Sequence, residues 1–183
     1  MAILKVARLG HPVLRQLAAP VPLGRIRSAE TQRLIDDMIE TMREYNGAGL
    51  AAPQVHVLQQ ICVIEVHGNP RYPDAPAIPL TVLINPVVTA LTEETEDGWE
   101  GCLSVPDMRG IVPRATSVRL EALDREGNHV DVVAKEFFAR VIQHNNTTTF
   151  AAYILHGFIQ DTLKHRAQIE RRRYLAADII EKF

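Results

Sequence analysis

The chain has 183 residues, 46% of them apolar, and a formal net charge of −2. That length sets an expectation of one domain over 1–183, large enough to bury a core without disulfides or a structural metal. The near-zero charge argues against specific nucleic-acid recognition, and no apolar run approaches the roughly 20 residues of a membrane span.

The first residues, Met1-Ala2-Ile3-Leu4-Lys5-Val6, lack the charged region, apolar core and cleavage site of a signal peptide. Two cysteines, Cys62 and Cys102, make no disulfide framework. Both features suggest a reducing compartment: the cytoplasm, or an organelle once a transit peptide is removed. Pro12, Pro20 and Pro22 predict an extended opening segment. A helix follows, with Ser28 as N-cap and Glu30 in its first turn. Leu34, Ile35, Met38, Ile39 and Met42 recur at helical spacing, and the helix should end near Asn46-Gly47.

Residues 61–66 read as a buried strand, and 68–79, with four prolines, as a loop. Residues 81–84 predict a second strand closed by Asn85-Pro86, and 92–97 an acidic, exposed connection. Residues 117–123 alternate as a half-buried strand does. Glu126-Gly127-Asn128 is a turn, and 129–134 the returning strand. A helix then starts near Lys135, with Phe137, Phe138, Val141 and Ile142 on its buried side. The run from Asn145 to Thr149 has poor helix propensity. Residues 164–183 predict a C-terminal helix, with Ile169, Leu175, Ile179 and Ile180 as apolar contacts. Strands in the middle with helices before and after give the class α+β.

Three segments carry chemistry. In Gly47-Ala48-Gly49-Leu50-Ala51-Ala52-Pro53-Gln54, the glycines let a backbone approach a ligand and Gln54 offers an amide donor. A helix C-cap followed by a loop would read the same. In Glu100-Gly101-Cys102-Leu103-Ser104, Cys102 suits a metal ligand or a nucleophile, with an inert buried thiol as the plain alternative. Cys62, inside an apolar strand, fits that alternative and is given no role. Gln143-His144 places a histidine on the helix after the last strand, as a ligand or as a structural residue.

In this order the three segments resemble the peptide deformylase family. The resemblance runs from about Val6 to Gln143, including Gly98-Trp99 and Val105-Pro106, and 106–113 looks like the bacterial and organelle-derived members. It implies mostly antiparallel strands around a central metal-site helix, plus an N-terminal and a C-terminal helix. It also implies metal-dependent hydrolysis of the formyl group of N-formylmethionyl nascent peptides, with release of formate. Cys102 and His144 correspond to metal ligands, for ferrous iron with zinc or nickel as alternatives. The Gln54 side chain and the Leu103 backbone N–H correspond to the donors that hold the formyl oxygen. Gly47, Gly49, Leu50, Glu100 and Gly101 are assigned to the substrate wall. Glu100 also stands behind the ligands, paired with a basic side chain such as Arg140.

The pattern breaks after His144. The family helix reads His-Glu-x-x-His, which puts both histidines on one face and a general base between them. This chain reads His144-Asn145-Asn146-Thr147-Thr148: Asn145 stands at the base and Thr148 at the second histidine. The Leu-x-Gly that follows in the family recurs as Leu155-His156-Gly157. Residues 145–154 thus read as a ten-residue replacement for a four-residue Glu-x-x-His. The expectation is a deformylase fold with weak or no catalysis. One alternative is an active enzyme in which His156 serves as third ligand. In a continuous helix His156 would lie about 18 Å along the axis from His144, so the chain would have to fold back. The other is a non-catalytic binder of formyl peptides or of the ribosome, to which the basic Arg171-Arg172-Arg173 could dock; a solvated helix face reads the same way.

Overall fold

The computed structural model describes residues 2–69 and 73–145. Thr148, His156, Arg171-Arg172-Arg173 and the helix predicted over 164–183 lie outside the described residues. The opening segment carries no helix or strand up to His11 and is tied inward at two points, but Pro12 and Pro22 begin helical turns rather than continuing the extended run that the prolines predict. The Ala7 N–H donates to the Gln54 carbonyl and the Leu9 N–H to the Ser104 carbonyl, both at 2.7 Å. A 3-10 turn, Pro12–Arg15, and a one-turn helix, α1 (Leu23–Ile26), follow; the sequence reading anticipated neither. Helix α2 (Ala29–Glu44) begins as predicted, with the Ser28 hydroxyl accepting from the Thr31 N–H.

Seven strands come next: β1 (Gly49–Ala51), β2 (Ile61–Val66), β3 (Ile78–Ala90), β4 (Thr95–Cys102), β5 (Val105–Ala115), β6 (Ser117–Leu123) and β7 (His129–Lys135). A 3-10 turn, Ala52–Val55, sits between β1 and β2. Helix α3 (Glu136–His144) closes the described chain. Five strands form one antiparallel sheet in the order β1-β2-β3-β6-β7, while β4 and β5 make a separate two-stranded sheet. The class is α+β with antiparallel strands around α3, as expected.

Among the boundaries that differ from the sequence reading, two have a clear physical reason. Asn85-Pro86 does not close the second strand, because β3 passes through it on a register shift between Ile84 and Val87. Asn85 takes a left-handed φ of 53°, which asparagine tolerates, and its amide bonds both backbone groups of Val21. The acidic connection is also shorter than predicted, since β4 begins at Thr95. The β4–β5 hairpin was not read as strands, because Gly98, Gly101, Pro106, Gly110 and Pro113 carry turn chemistry rather than strand propensity.

The core divides across the five-stranded sheet. Ile61 and Val63 of β2 join Ile35, Met38, Ile39 and Met42 of α2. Their neighbours Cys62 and Ile64 join Ala139, Val141 and Ile142 of α3. Burial on both faces explains the unbroken apolar run of β2. Each fully buried side chain of this size contributes roughly 1.5–3 kcal/mol, so α2 and α3 are held to opposite faces of one sheet. Among the described residues no helix is long and apolar enough to cross a membrane.

Candidate active site

The first motif leaves α2 through Asn46 at φ 51°, and the Gly47 N–H bonds the Met42 carbonyl at 2.8 Å. Gly47 is tightly placed, since a Cβ there would lie 2.9 Å from Leu103 Cδ1 and 3.3 Å from the Met42 carbonyl oxygen. Pairing with β2 fixes Gly49–Ala51, and the following 3-10 turn buries Gln54. The Gln54 amide oxygen accepts from the Ala51 N–H at 2.9 Å. Its nitrogen reaches Ser104 Oγ at 3.1 Å and Cys102 Sγ at 3.6 Å. Gln54 therefore joins the first motif to the second. A register shift between Gly101 and Cys102 ends the ladder at the tip of the β4–β5 hairpin, where Cys102 is buried.

Glu100 is the electrostatic centre of the site. Its buried carboxylate receives Nε and Nη2 of Arg114, both at 2.9 Å, Arg140 Nη1 at 3.0 Å and His144 Nδ1 at 2.7 Å. Burial alone would raise its pKa, but the bonds from His144 and Arg114 hold it at about 2. Arg140 is itself fixed by the carbonyls of Val112 and Glu96 at 2.7 and 2.6 Å. It lies across Gly98, where a Cβ would meet its Cζ at 2.6 Å. With Nδ1 on Glu100, His144 turns its other ring nitrogen to the Cys102 sulfur. Burial lowers the imidazole pKa, yet Cys102 and Glu100 together push it up to about 10.

Beside this pair stands Asn145, 3% exposed. Its amide nitrogen donates to the Val141 carbonyl at 2.9 Å, while its Oδ1 is buried with no hydrogen-bond partner among the described residues. The amide packs on Gly49, where a Cβ would fall 2.8 Å from Asn145 Cγ. One small cavity gathers Gly47, Gly49 and Gln54 from the first motif, Glu100, Gly101, Cys102 and Leu103 from the second, and His144 with Asn145 from α3. Leu50 is placed elsewhere: its side chain is buried under α2, in the core. The sequence reading anticipated Arg140 beside Glu100 but missed Arg114 and Ser104. A buried carboxylate calls for a cation, yet nothing in the spacing singles out Arg114 among the arginines.

The sequence model of the family described as polypeptide deformylase matches residues 3–158. The chain belongs to the polypeptide deformylase family. It is 48% identical over 139 residues to peptide deformylase 2 of Pseudomonas putida, covering 76% of this chain and 78% of that one. The fold is similar to that of a class I type b peptide deformylase from Acinetobacter baumannii solved with Met-Ala-Ser bound. There the TM-score is 0.81 at 38% identity, over 85% of this chain and 98% of the other. The Thermotoga maritima deformylase gives 0.73 at 30% identity, over 86% and 98%.

Deformylases are metal-dependent, and the donors of this chain can be weighed against that need. The Cys102 sulfur and the His144 ring nitrogen that faces it suit a metal, with the imidazole oriented by a carboxylate on its other nitrogen. A catalytic centre of this kind takes three protein ligands and an open position. Among the described residues no three His, Cys, Asp or Glu side chains make a metal-binding group. The residue after His144 adds only an uncharged amide oxygen. The described residues therefore do not fit a complete catalytic metal centre.

Proposed function

We propose that this chain binds N-formylmethionyl peptides in the deformylase cavity and removes the formyl group slowly or not at all. In this reading the Gln54 amide and the Leu103 backbone N–H hold the formyl oxygen. Gly47, Gly49 and Gly101 supply the wall along which the peptide lies. Cys102 and His144 are the two remaining metal donors, for ferrous iron with zinc or nickel as alternatives, and Glu100 keeps His144 aimed.

The observation that carries this reading is Asn145, whose amide packs on Gly49 in the same cavity as Cys102 and His144. A carboxamide takes up no proton at neutral pH. Loss of a general base costs on the order of 10²–10⁴ in rate, and a missing ligand adds to that through weaker water activation. The bound Met-Ala-Ser of the Acinetobacter baumannii relative supports a peptide of that class as ligand.

The test pairs two measurements on formyl-Met-Ala-Ser: binding, by calorimetry, and formate release after reconstitution with ferrous iron. Binding with turnover at least about 10²-fold below an intact family member is the expected result. Turnover equal to that of an intact member would refute the reading.

A further inference from the structure

The small cavity opens at Cys102 and Leu103 into a second, much larger groove of about 1150 Å³. That exceeds the range of small-molecule pockets and suits an extended chain. Its walls are unevenly charged. Lys5 and Arg8 from the opening segment, His11, His56 and Arg109 line it, with Asp107 as the one acidic side chain among the described lining residues. Lys5 and Arg8 are exposed and make no ion pair among the described residues. The His11 and His56 rings meet edge to face at 4.6 Å. His56 titrates below the ordinary histidine range, first through burial and then through its electrostatic interaction with His11 and Lys5.

The geometry holds these cations in place. Ala7 and Leu9 fasten the opening segment to Gln54 and Ser104, so the backbone that carries Lys5 and Arg8 has a fixed position relative to Gln54. His56 is set by the left-handed turn, φ 67°, that follows the 3-10 turn bearing Gln54. A peptide with its first residue in the small cavity would continue out at Cys102 and Leu103, and its next residues would meet this positive wall.

We propose that the groove is a subsite for acidic residues downstream of the formyl-methionine, so that the chain selects nascent peptides with Asp or Glu in their first few positions. This rests on the formyl-peptide reading above and adds a sequence preference to it. The recognition is between carboxylates and the Lys5 and Arg8 cations, with Arg109 and the histidine pair completing the wall.

The experiment compares two labelled peptides, formyl-Met-Ala-Ser-Asp-Glu-Asp and formyl-Met-Ala-Ser-Asn-Gln-Asn, by fluorescence anisotropy with the whole chain. The measurement is repeated with the Lys5→Ala/Arg8→Ala double variant, whose fold is checked by its melting curve. The acidic peptide is expected to bind about three- to tenfold tighter, the range that one or two exposed ion pairs provide. That ratio should fall towards one in the variant and in high salt. Equal binding of the two peptides would overturn the subsite and leave the formyl-peptide reading standing. Binding of neither would overturn both. An advantage that survives the double substitution would also overturn the proposal. So would a single-stranded RNA oligonucleotide displacing the acidic peptide at the same charge concentration, since it would assign the groove to nucleic acid.

Discussion

His144 Nδ1 lies 2.7 Å from a Glu100 oxygen, and this contact joins the end of α3 to the β4–β5 hairpin. The same carboxylate holds Arg114 and Arg140, so one buried anion organises three cationic side chains from two elements. Replacing it as Glu100→Gln would leave the buried Arg114 guanidinium and the half-buried Arg140 guanidinium without their counter-charge. The expected cost is about 3–5 kcal/mol of folding stability, the usual penalty for breaking a buried pair. Urea denaturation measures it, and a loss below about 1 kcal/mol would mean that the cluster is not the keystone described.

Gly98 makes a sharper geometric test. A methyl there would enter the Arg140 guanidinium, which is bonded on two sides to Val112 and Glu96 and has little room to shift. Gly98→Ala should cost about 1–3 kcal/mol through overpacking. Gly24, in α1, has nothing within 4 Å of an added Cβ. Gly24→Ala should be neutral or stabilising by up to about 1 kcal/mol. Equal effects of the two substitutions in thermal melts would contradict the packing account.

The site was more legible in the sequence than the fold around it. The two long motifs and His144 were placed by pattern, and the structure brings all three together. α2 was readable from Ser28 and its apolar spacing, and β2 from an unbroken apolar run. The β4–β5 hairpin was not, because its glycines are there for Arg140 and for the turn at Cys102 rather than for strand propensity. Asn85-Pro86 reads as a stop, but the strand continues because Asn85 is anchored on Val21, a tertiary contact without a local signature. Arg114 was missed for the same reason: the partner of a buried carboxylate is fixed by sheet register.

A pH prediction follows from Glu65. Its carboxylate pairs with Arg43 at 2.7 and 3.0 Å, tying β2 to α2, and that bond lowers its pKa below the ordinary 4.5. A lowered folded value means the stabilisation is full above 4.5 and is lost as the pH falls through the folded value. The pair is partly exposed, so its contribution is no more than about 1 kcal/mol. The stability gap between the chain and its Arg43→Ala variant should be present at pH 7 and shrink below pH 4.5. A gap that widens on acidification would contradict a lowered Glu65 pKa in the folded chain.

The altered helix also predicts a gain of function. Exchanging residues 145–154 for a four-residue Glu-x-x-His would return a carboxylate to the place of Asn145 and a second histidine to the same face as His144. Formate release should then rise by on the order of 10²–10⁴ from the base alone. No increase in a chain that folds and binds metal would locate the defect elsewhere.

Metal content per chain bears most directly on the central claim. The whole chain would be reconstituted anaerobically with ferrous iron, nickel or zinc, passed through gel filtration, and assayed for metal and protein. With Cys102 and His144 as the two metal ligands assigned among the described residues, well under one metal per chain is expected for each ion. Near-stoichiometric metal would contradict it, and loss of that metal in a His156→Ala variant would identify the third ligand.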